Sequence, residues 1–308
     1  MIGQNLVEQA RGVVRLPSKR ASFSWNDSSE FQKQIKSEIG QFISRASGRW
    51  TIAWCAGASH FGSSEQQLAN EQRNFQAFVD ELRFALSQFD PRQGRIIYTS
   101  SAGAVYSGST DRIISEHSAC TTALLYGRQK LAQEGLLRDL ANEVLLNTII
   151  ARISTVYGPH QNLSKPQGLI SRICLAMIRR EPIPIYVGLE TSRNYIYSID
   201  VGRILARMAM LPDVDIGTES GPVLVKNVVS PHSLSVAQIL RGAETVFKRR
   251  PQFSLRIDER ATNYRPQFNI CSALVPALDD ITFTQFEVGL NAVRLSILSK
   301  RQLGLITD

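Results

Sequence analysis

Short β-branched runs alternate with helix-length amphipathic stretches along the first half of this chain, and that alternation constrains its fold more than any other feature. Runs of period 2 separated by stretches of period 3.6 are the mark of a parallel sheet covered by helices, because parallel neighbours need a long crossover between them. The pattern predicts a helix over 2–10, a strand over 12–16, a helix over 29–47, a strand over 50–55, a helix over 65–88 and a strand over 94–99. A helix over 122–141 and a strand over 147–153 follow. Beyond Gly158-Pro159 the rhythm is less regular: helices over 167–180, 201–210, 235–247 and 283–299, with strands over 195–197 and 223–229. The fold class is α/β, with one unit over 1–158 and a smaller one over 159–308 partly interleaved with it.

At 308 residues and 43% hydrophobic content the chain can bury a full core. Its most apolar stretches, such as 144–153, fall far short of the roughly 20 residues that span a bilayer, and no charged-then-apolar leader opens the sequence as given. Membrane and nucleic acid are not expected partners. The formal charge of +8 is scattered in short runs such as Arg179-Arg180 and 248–250, which reads as solvated faces or as attraction for an acidic ligand. Cys55, Cys120, Cys174 and Cys271 are widely spaced, without Cys-x-x-Cys or a histidine at ligand spacing, so buried free thiols in the cytoplasm and no metal are expected. His60 and His117 stand in no triad or metal context.

The chemistry is concentrated in Leu125-Tyr-Gly-Arg-Gln-Lys130. Tyr126 and Lys130 are at i and i+4 and share a helix face. An ammonium beside a phenol favours the phenolate, so Lys130 is expected to lower the Tyr126 pKa from about 10 and make it a general acid or base. A half-buried tyrosine next to a solvated lysine is the structural alternative.

Four ordered stretches give that pair a context. Thr51-Ile-Ala-Trp-Cys-Ala-Gly-Ala58 ends in small residues, and Arg95-Ile-Ile-Tyr-Thr-Ser-Ser-Ala-Gly-Ala-Val-Tyr-Ser-Gly108 precedes the Tyr126/Lys130 helix. Ala151-Arg-Ile-Ser-Thr-Val-Tyr-Gly-Pro159 follows, then Pro182-Ile-Pro-Ile-Tyr-Val-Gly188, Arg193-Asn-Tyr-Ile-Tyr-Ser-Ile-Asp200 and the tail 283–290. Together they resemble the extended short-chain dehydrogenase/reductase family, in its NAD-dependent epimerase/dehydratase branch acting on nucleotide sugars. The resemblance implies a Rossmann-like doubly wound sheet with a C-terminal substrate-binding lobe. It also implies NAD or NADP as cofactor, a nucleotide sugar as substrate, and a homodimer joined through helices 65–88 and 122–141.

The resemblance assigns Tyr126 the proton transfer, Lys130 the nicotinamide ribose, and Ser101 a hydrogen bond to the sugar oxygen. Aligning Tyr106 with the family's Val-Tyr-Gly moves the serine position to Ala102, which has no hydroxyl, so two registers stand open. Ala56 and Gly57 fall where backbone meets the dinucleotide, Arg193 where the family holds the diphosphate, and Thr155 where it has a substrate-facing asparagine. Asp200 reads as a helix N-cap. Family dehydratases carry Asp-Glu after the catalytic hydroxyl; here Ala102, Gly103 and Ala104 stand there, favouring epimerisation or keto reduction. A non-catalytic family member with a binding or regulatory role is the rival.

The opening Met1-Ile-Gly-Gln-Asn resembles the family from just before the last of three loop glycines, with Gly3 as that glycine. The first strand and most of the glycine-rich loop are then missing, through a late start or a natural truncation, and dinucleotide binding by the chain as given is expected to be weak. Arg15, Lys19 and Arg20 follow the expected strand 12–16, where an acid would mark NAD and a basic cluster suits a 2′-phosphate.

Overall fold

The structure is a computed structural model that describes residues 1–16, 21–163, 168–216, 221–256 and 265–305. Its first half runs α1 (Ile2–Ala10), α2 (Ser28–Arg45), β1 (Trp50–Trp54), α3 (Glu65–Leu86), β2 (Gly94–Ser101), α4 (Ala102–Val105), α5 (Leu125–Val144), β3 (Asn147–Ile153) and β4 (Thr155–Tyr157). The second half runs α6 (Leu169–Arg179), β5 (Ile183–Ile185), β6 (Ser192–Tyr197), α7 (Ser198–Met210), β7 (Val223–Val228), β8 (Ser233–Ser235), α8 (Val236–Phe247), β9 (Phe253–Leu255), β10 (Gln267–Phe268) and α9 (Phe286–Gln302).

Among the described residues the main sheet has the order β1-β2-β3-β7, every pair parallel. Strand alternation divides its side chains between two cores. Ile96, Tyr98 and Ile150 join α2, α3 and α5 on one face. Ile97, Ile149, Ala151 and Ile153 meet α1 and α7 on the other. Helices on both faces explain why β2 is buried along nearly its whole length. The contact between α1 and α7 is close: a Cβ added at Gly202 would come within 2.8 Å of the Asn5 backbone.

A smaller lobe gathers α6, α8 and α9 around Tyr157, Tyr197, Ile183 and Ile185. Strand β6 pairs with β4 and β10 in parallel and with β8 in antiparallel fashion, and β5 pairs with β9. Strand β7, late in sequence, completes the main sheet, so residues beyond 158 serve both units.

Most expected elements are present within a few residues of their ends. One is not. Residues 12–16 form no strand: α1 ends at Ala10, Gly12 turns the chain at φ +78°, and the Val13 and Val14 amides both return to the Ala10 carbonyl. A strand exists through its ladder bonds, and the only strand beside β1 among the described residues is β2. Helix α5 begins at Leu125 rather than 122 because the Thr122 hydroxyl accepts the Leu124 amide, folding the lead-in as a turn. Asp200 is not an N-cap; it sits inside α7, where its carboxylate accepts the Thr284 amide and hydroxyl at 2.9 Å and ties the 280s segment to the helix. Lys19, Arg20 and Gln167 lie outside the described residues.

Candidate active site

The C-terminal ends of β1, β2 and β3 open onto a cavity of about 190 Å³. Its walls include Ile2, Cys55, Ala56, Gly57, Ser101, Tyr126 and Lys130. Local sequence explains the convergence. Gly127 lies against Ala104, where a Cβ would come within 2.6 Å of the Ala104 carbonyl, so the start of α5 can approach the end of β2. That approach brings Tyr126 and Ser101 into the same cavity wall. Ala102, the alternative register, is fully buried at the start of α4. Ser100, one residue earlier, donates instead to Glu134 at 2.6 Å.

Gly57 has φ +148°, a conformation that side chains rarely adopt, and it belongs to the loop leaving β1. Gly3 lies beside the same strand end, where a Cβ would sit 3.3 Å from Cys55.

The other sequence candidates are elsewhere. Arg15 is exposed and outside the cavity wall. In β4 the alternation gives Ser154 and Val156 to the cavity and leaves Thr155 exposed. Arg193 hydrogen-bonds the Ser192 and Pro266 carbonyls and lies over the Phe268 ring, at the β6-β10 edge. A larger groove, about 920 Å³, runs between α1, α7 and the 277–284 segment and shares none of the Tyr126 residues.

The electrostatics correct one expectation. The Tyr126 phenol is pushed up, not down: burial is the main cause, the Glu71 carboxylate adds to it, and the Ser101 hydroxyl only partly opposes it. Lys130 fails to offset this because its ammonium is directed elsewhere. Its Nζ lies 3.8 Å from Glu71 Oε1 and donates to Gln133 Oε1 at 3.3 Å. It stands over the Tyr98 and Tyr126 rings, 5.2 and 5.7 Å from their centroids. Burial lowers the Lys130 pKa, and Glu71 and Glu134 oppose that shift.

Two carboxylates near the site were not singled out in the sequence. Glu71 accepts the Ala58 and Ser59 amides on Oε2, both at 2.9 Å. Its signal is positional: on α3 it falls three residues after buried Leu68 and four before buried Phe75, on the stripe that enters the core. Glu134, four residues after Lys130, is buried and takes Arg152 Nη2 at 2.6 Å and Nε at 3.0 Å, while Arg152 Nη1 reaches the Tyr106 hydroxyl at 2.7 Å. Burial pulls the guanidinium down, but Glu134 outweighs it and leaves Arg152 held protonated.

Among the cysteines only Cys174 is buried as a residue, although burial of the sulfur pushes both the Cys55 and Cys174 thiols up to about 12. Among the described residues there is no group of three or more His, Cys, Asp or Glu placed to hold a metal, and no helix is long and apolar enough to cross a membrane.

A parallel sheet with helices on both faces, opening at its strand ends onto a Ser-Tyr-Lys cavity, defines a Rossmann-like protein of the short-chain dehydrogenase type. The sequence model of the NAD dependent epimerase/dehydratase family matches residues 1–219, and the chain belongs to that family. It is 36% identical over 107 residues to dTDP-4-dehydro-6-deoxyglucose reductase of Escherichia coli, covering 35% of this chain and 34% of that protein. It is 31% identical over 113 residues to dTDP-D-glucose 4,6-dehydratase of Bos taurus, covering 36% and 30%. The matched stretches therefore span about a third of the length of these curated relatives. Among solved structures, UDP-glucose 4-epimerase of Thermotoga maritima with UDP-glucose superposes with a TM-score of 0.73 at 18% identity, over 98% of this chain and 96% of that one. MoeE5 in complex with UDP-glucuronic acid and NAD gives 0.72 at 23% identity, over 97% and 96%. At these identities the superpositions speak for the fold.

Proposed function

We propose that the chain is an NAD- or NADP-dependent epimerase or keto-reductase of a nucleotide-linked sugar. The observation that carries this reading is that Ser101, Tyr126 and Lys130 line one cavity, in a chain of an NAD dependent family. The residues fit the reacting end of a dinucleotide. Ala56 and Gly57 put only small residues in the cavity wall, and Lys130 brings ammonium donors to it. At about 190 Å³ the cavity is smaller than the roughly 300–1,000 Å³ of drug-sized sites, so it suits the nicotinamide end alone.

A nicotinamide held there would supply the acceptor and donor of hydride. Tyr126 exchanges the proton of the sugar hydroxyl as its carbon passes to and from the ketone. Ser101 holds the same oxygen, and Lys130 holds the ribose. Dehydration needs a further acid and base, and no Asp or Glu is among the described residues lining the cavity; epimerisation or keto reduction is therefore preferred. A homodimer through the outer faces of α3 and α5 is part of the proposal.

A second reading, a family member that binds without turning over, is favoured by one observation: Glu71 engages the ammonium that the mechanism needs. The deciding experiment is Tyr126→Phe, assayed with 4-keto and 4-hydroxy nucleotide hexoses. Turnover is expected to fall by about 10²- to 10⁴-fold with cofactor binding nearly intact. Near-normal turnover in the Phe variant overturns the mechanism.

A further inference from the structure

A carboxylate on the core-facing stripe of a helix calls for a reason, since burial disfavours its charge unless partners compensate. Glu71, with its side chain 14% exposed, has three. The Ala58 and Ser59 amides bond one oxygen, and the other faces Lys130 Nζ at 3.8 Å. Its reach is made possible by the glycine ahead of those amides: a Cβ at Gly57 would lie 3.0 Å from Glu71 Oε1. One side chain thus joins α3, the loop after β1 and the lysine of α5, next to residues that line the cavity.

We propose that Glu71 is a positioning residue that holds Lys130 and the 57–59 loop in a cofactor-free arrangement, so that its carboxylate competes with the ribose hydroxyls of a dinucleotide for the Lys130 ammonium. The proposal rests on the reading of this cavity as a dinucleotide site. The charged and titratable groups packed around the contact are Tyr126 and Glu134 on α5, Tyr98 on β2, and Arg152 on β3 behind Glu134. Glu134 is committed to Arg152 and Ser100. Glu71 is then the carboxylate in ion-pair range of Lys130 among the described residues, and the one a ligand can displace.

Glu71→Gln separates charge from shape, because the amide oxygen still accepts from the loop while the ion pair is lost. NAD and NADP affinities of the full chain are measured by calorimetry in wild type, E71Q, K130M and the double variant. The E71Q chain is expected to bind about three- to tenfold more tightly, as fits loss of one competing ion pair. In the K130M background E71Q should change nothing further, since the effect passes through Lys130.

If E71Q does not fold, Glu71→Asp withdraws the carboxylate from Lys130 and should give a smaller tightening. Binding by wild type that is unchanged or weaker in E71Q overturns the Glu71 proposal and leaves the cavity's assignment standing. Equal tightening with and without Lys130 also overturns it. Absence of dinucleotide binding in every variant overturns the functional reading and the competition with it.

Discussion

Two buried acid-base pairs flank the Tyr126 helix, and they are built differently. Glu134 and Arg152 meet through two guanidinium nitrogens at 2.6 and 3.0 Å, both side chains at most 5% exposed, with Ser100 and Tyr106 taking up further hydrogen-bonding capacity. Glu71 and Lys130 meet at 3.8 Å, with Lys130 alone of the two lining the cavity, and the carboxylate's two hydrogen bonds go to loop amides. A planar bidentate pair fixes distance and orientation together, whereas an ammonium on a flexible stem can exchange partners at small cost. The first pair ties the end of β2, α5 and β3 into one frame; the second leaves the Lys130 ammonium adjustable.

The comparison predicts unequal responses to truncation. Arg152→Ala strands the Glu134 charge in the core and should cost about 3–5 kcal/mol of unfolding free energy, read by urea titration. Replacing both partners, as in Arg152→Met with Glu134→Leu, should recover most of that loss because no charge is left unpaired. A mild effect of Arg152→Ala would show that this pair is no more rigid than the other.

Lys130→Met should change stability by no more than about 1 kcal/mol, because a costly buried cation is removed while Glu71 keeps its two amide donors. Cofactor affinity should fall nonetheless, measurable by calorimetry. A stability loss as large as that of Arg152→Ala would erase the distinction between the two pairs, and an unchanged affinity would remove Lys130 from the ribose.

What was legible in the sequence follows the same division between local and assembled features. Periodicity located β3 and α1 at their observed ends, because each pattern is written in consecutive residues. It misplaced 12–16, where β-branched content lacked the ladder that makes a strand. Ser101, Ala56, Gly57, Tyr126 and Lys130, named through the family resemblance, line one cavity, since strand ends and one helix face position them; their roles belong to the proposal. The direction of the Tyr126 shift was misread because i,i+4 spacing gives proximity but not aim. Lys130 is turned by Glu71, which is 59 positions away in sequence and reaches it only through helix packing. A charged residue on the stripe Leu68, Phe75, Phe78, Leu82 was the visible clue.

The smallest effect separates the pairs by pH. Burial raises the Tyr126 and Tyr98 phenols in the folded chain, so they hold protons that the unfolded chain releases above about pH 10. The stabilisation linked to those protons is complete below that point and is lost progressively as pH rises beyond it. Lys130 has the opposite sign: its folded pKa is lowered, so below about pH 10.5 the folded state sheds its proton first and stability gains as pH rises. Arg152 is held protonated throughout and contributes no slope. Urea unfolding from about pH 8 to pH 11 should therefore show a flatter alkaline decline in Tyr126→Phe than in wild type and a steeper one in Lys130→Met. Arg152→Ala should shift the whole curve down while keeping its shape. An alkaline slope that is identical in wild type and Tyr126→Phe would mean that the phenol is not held protonated by its surroundings, and the cavity pair would lose the electrostatic coupling that sets it apart from the frame behind it.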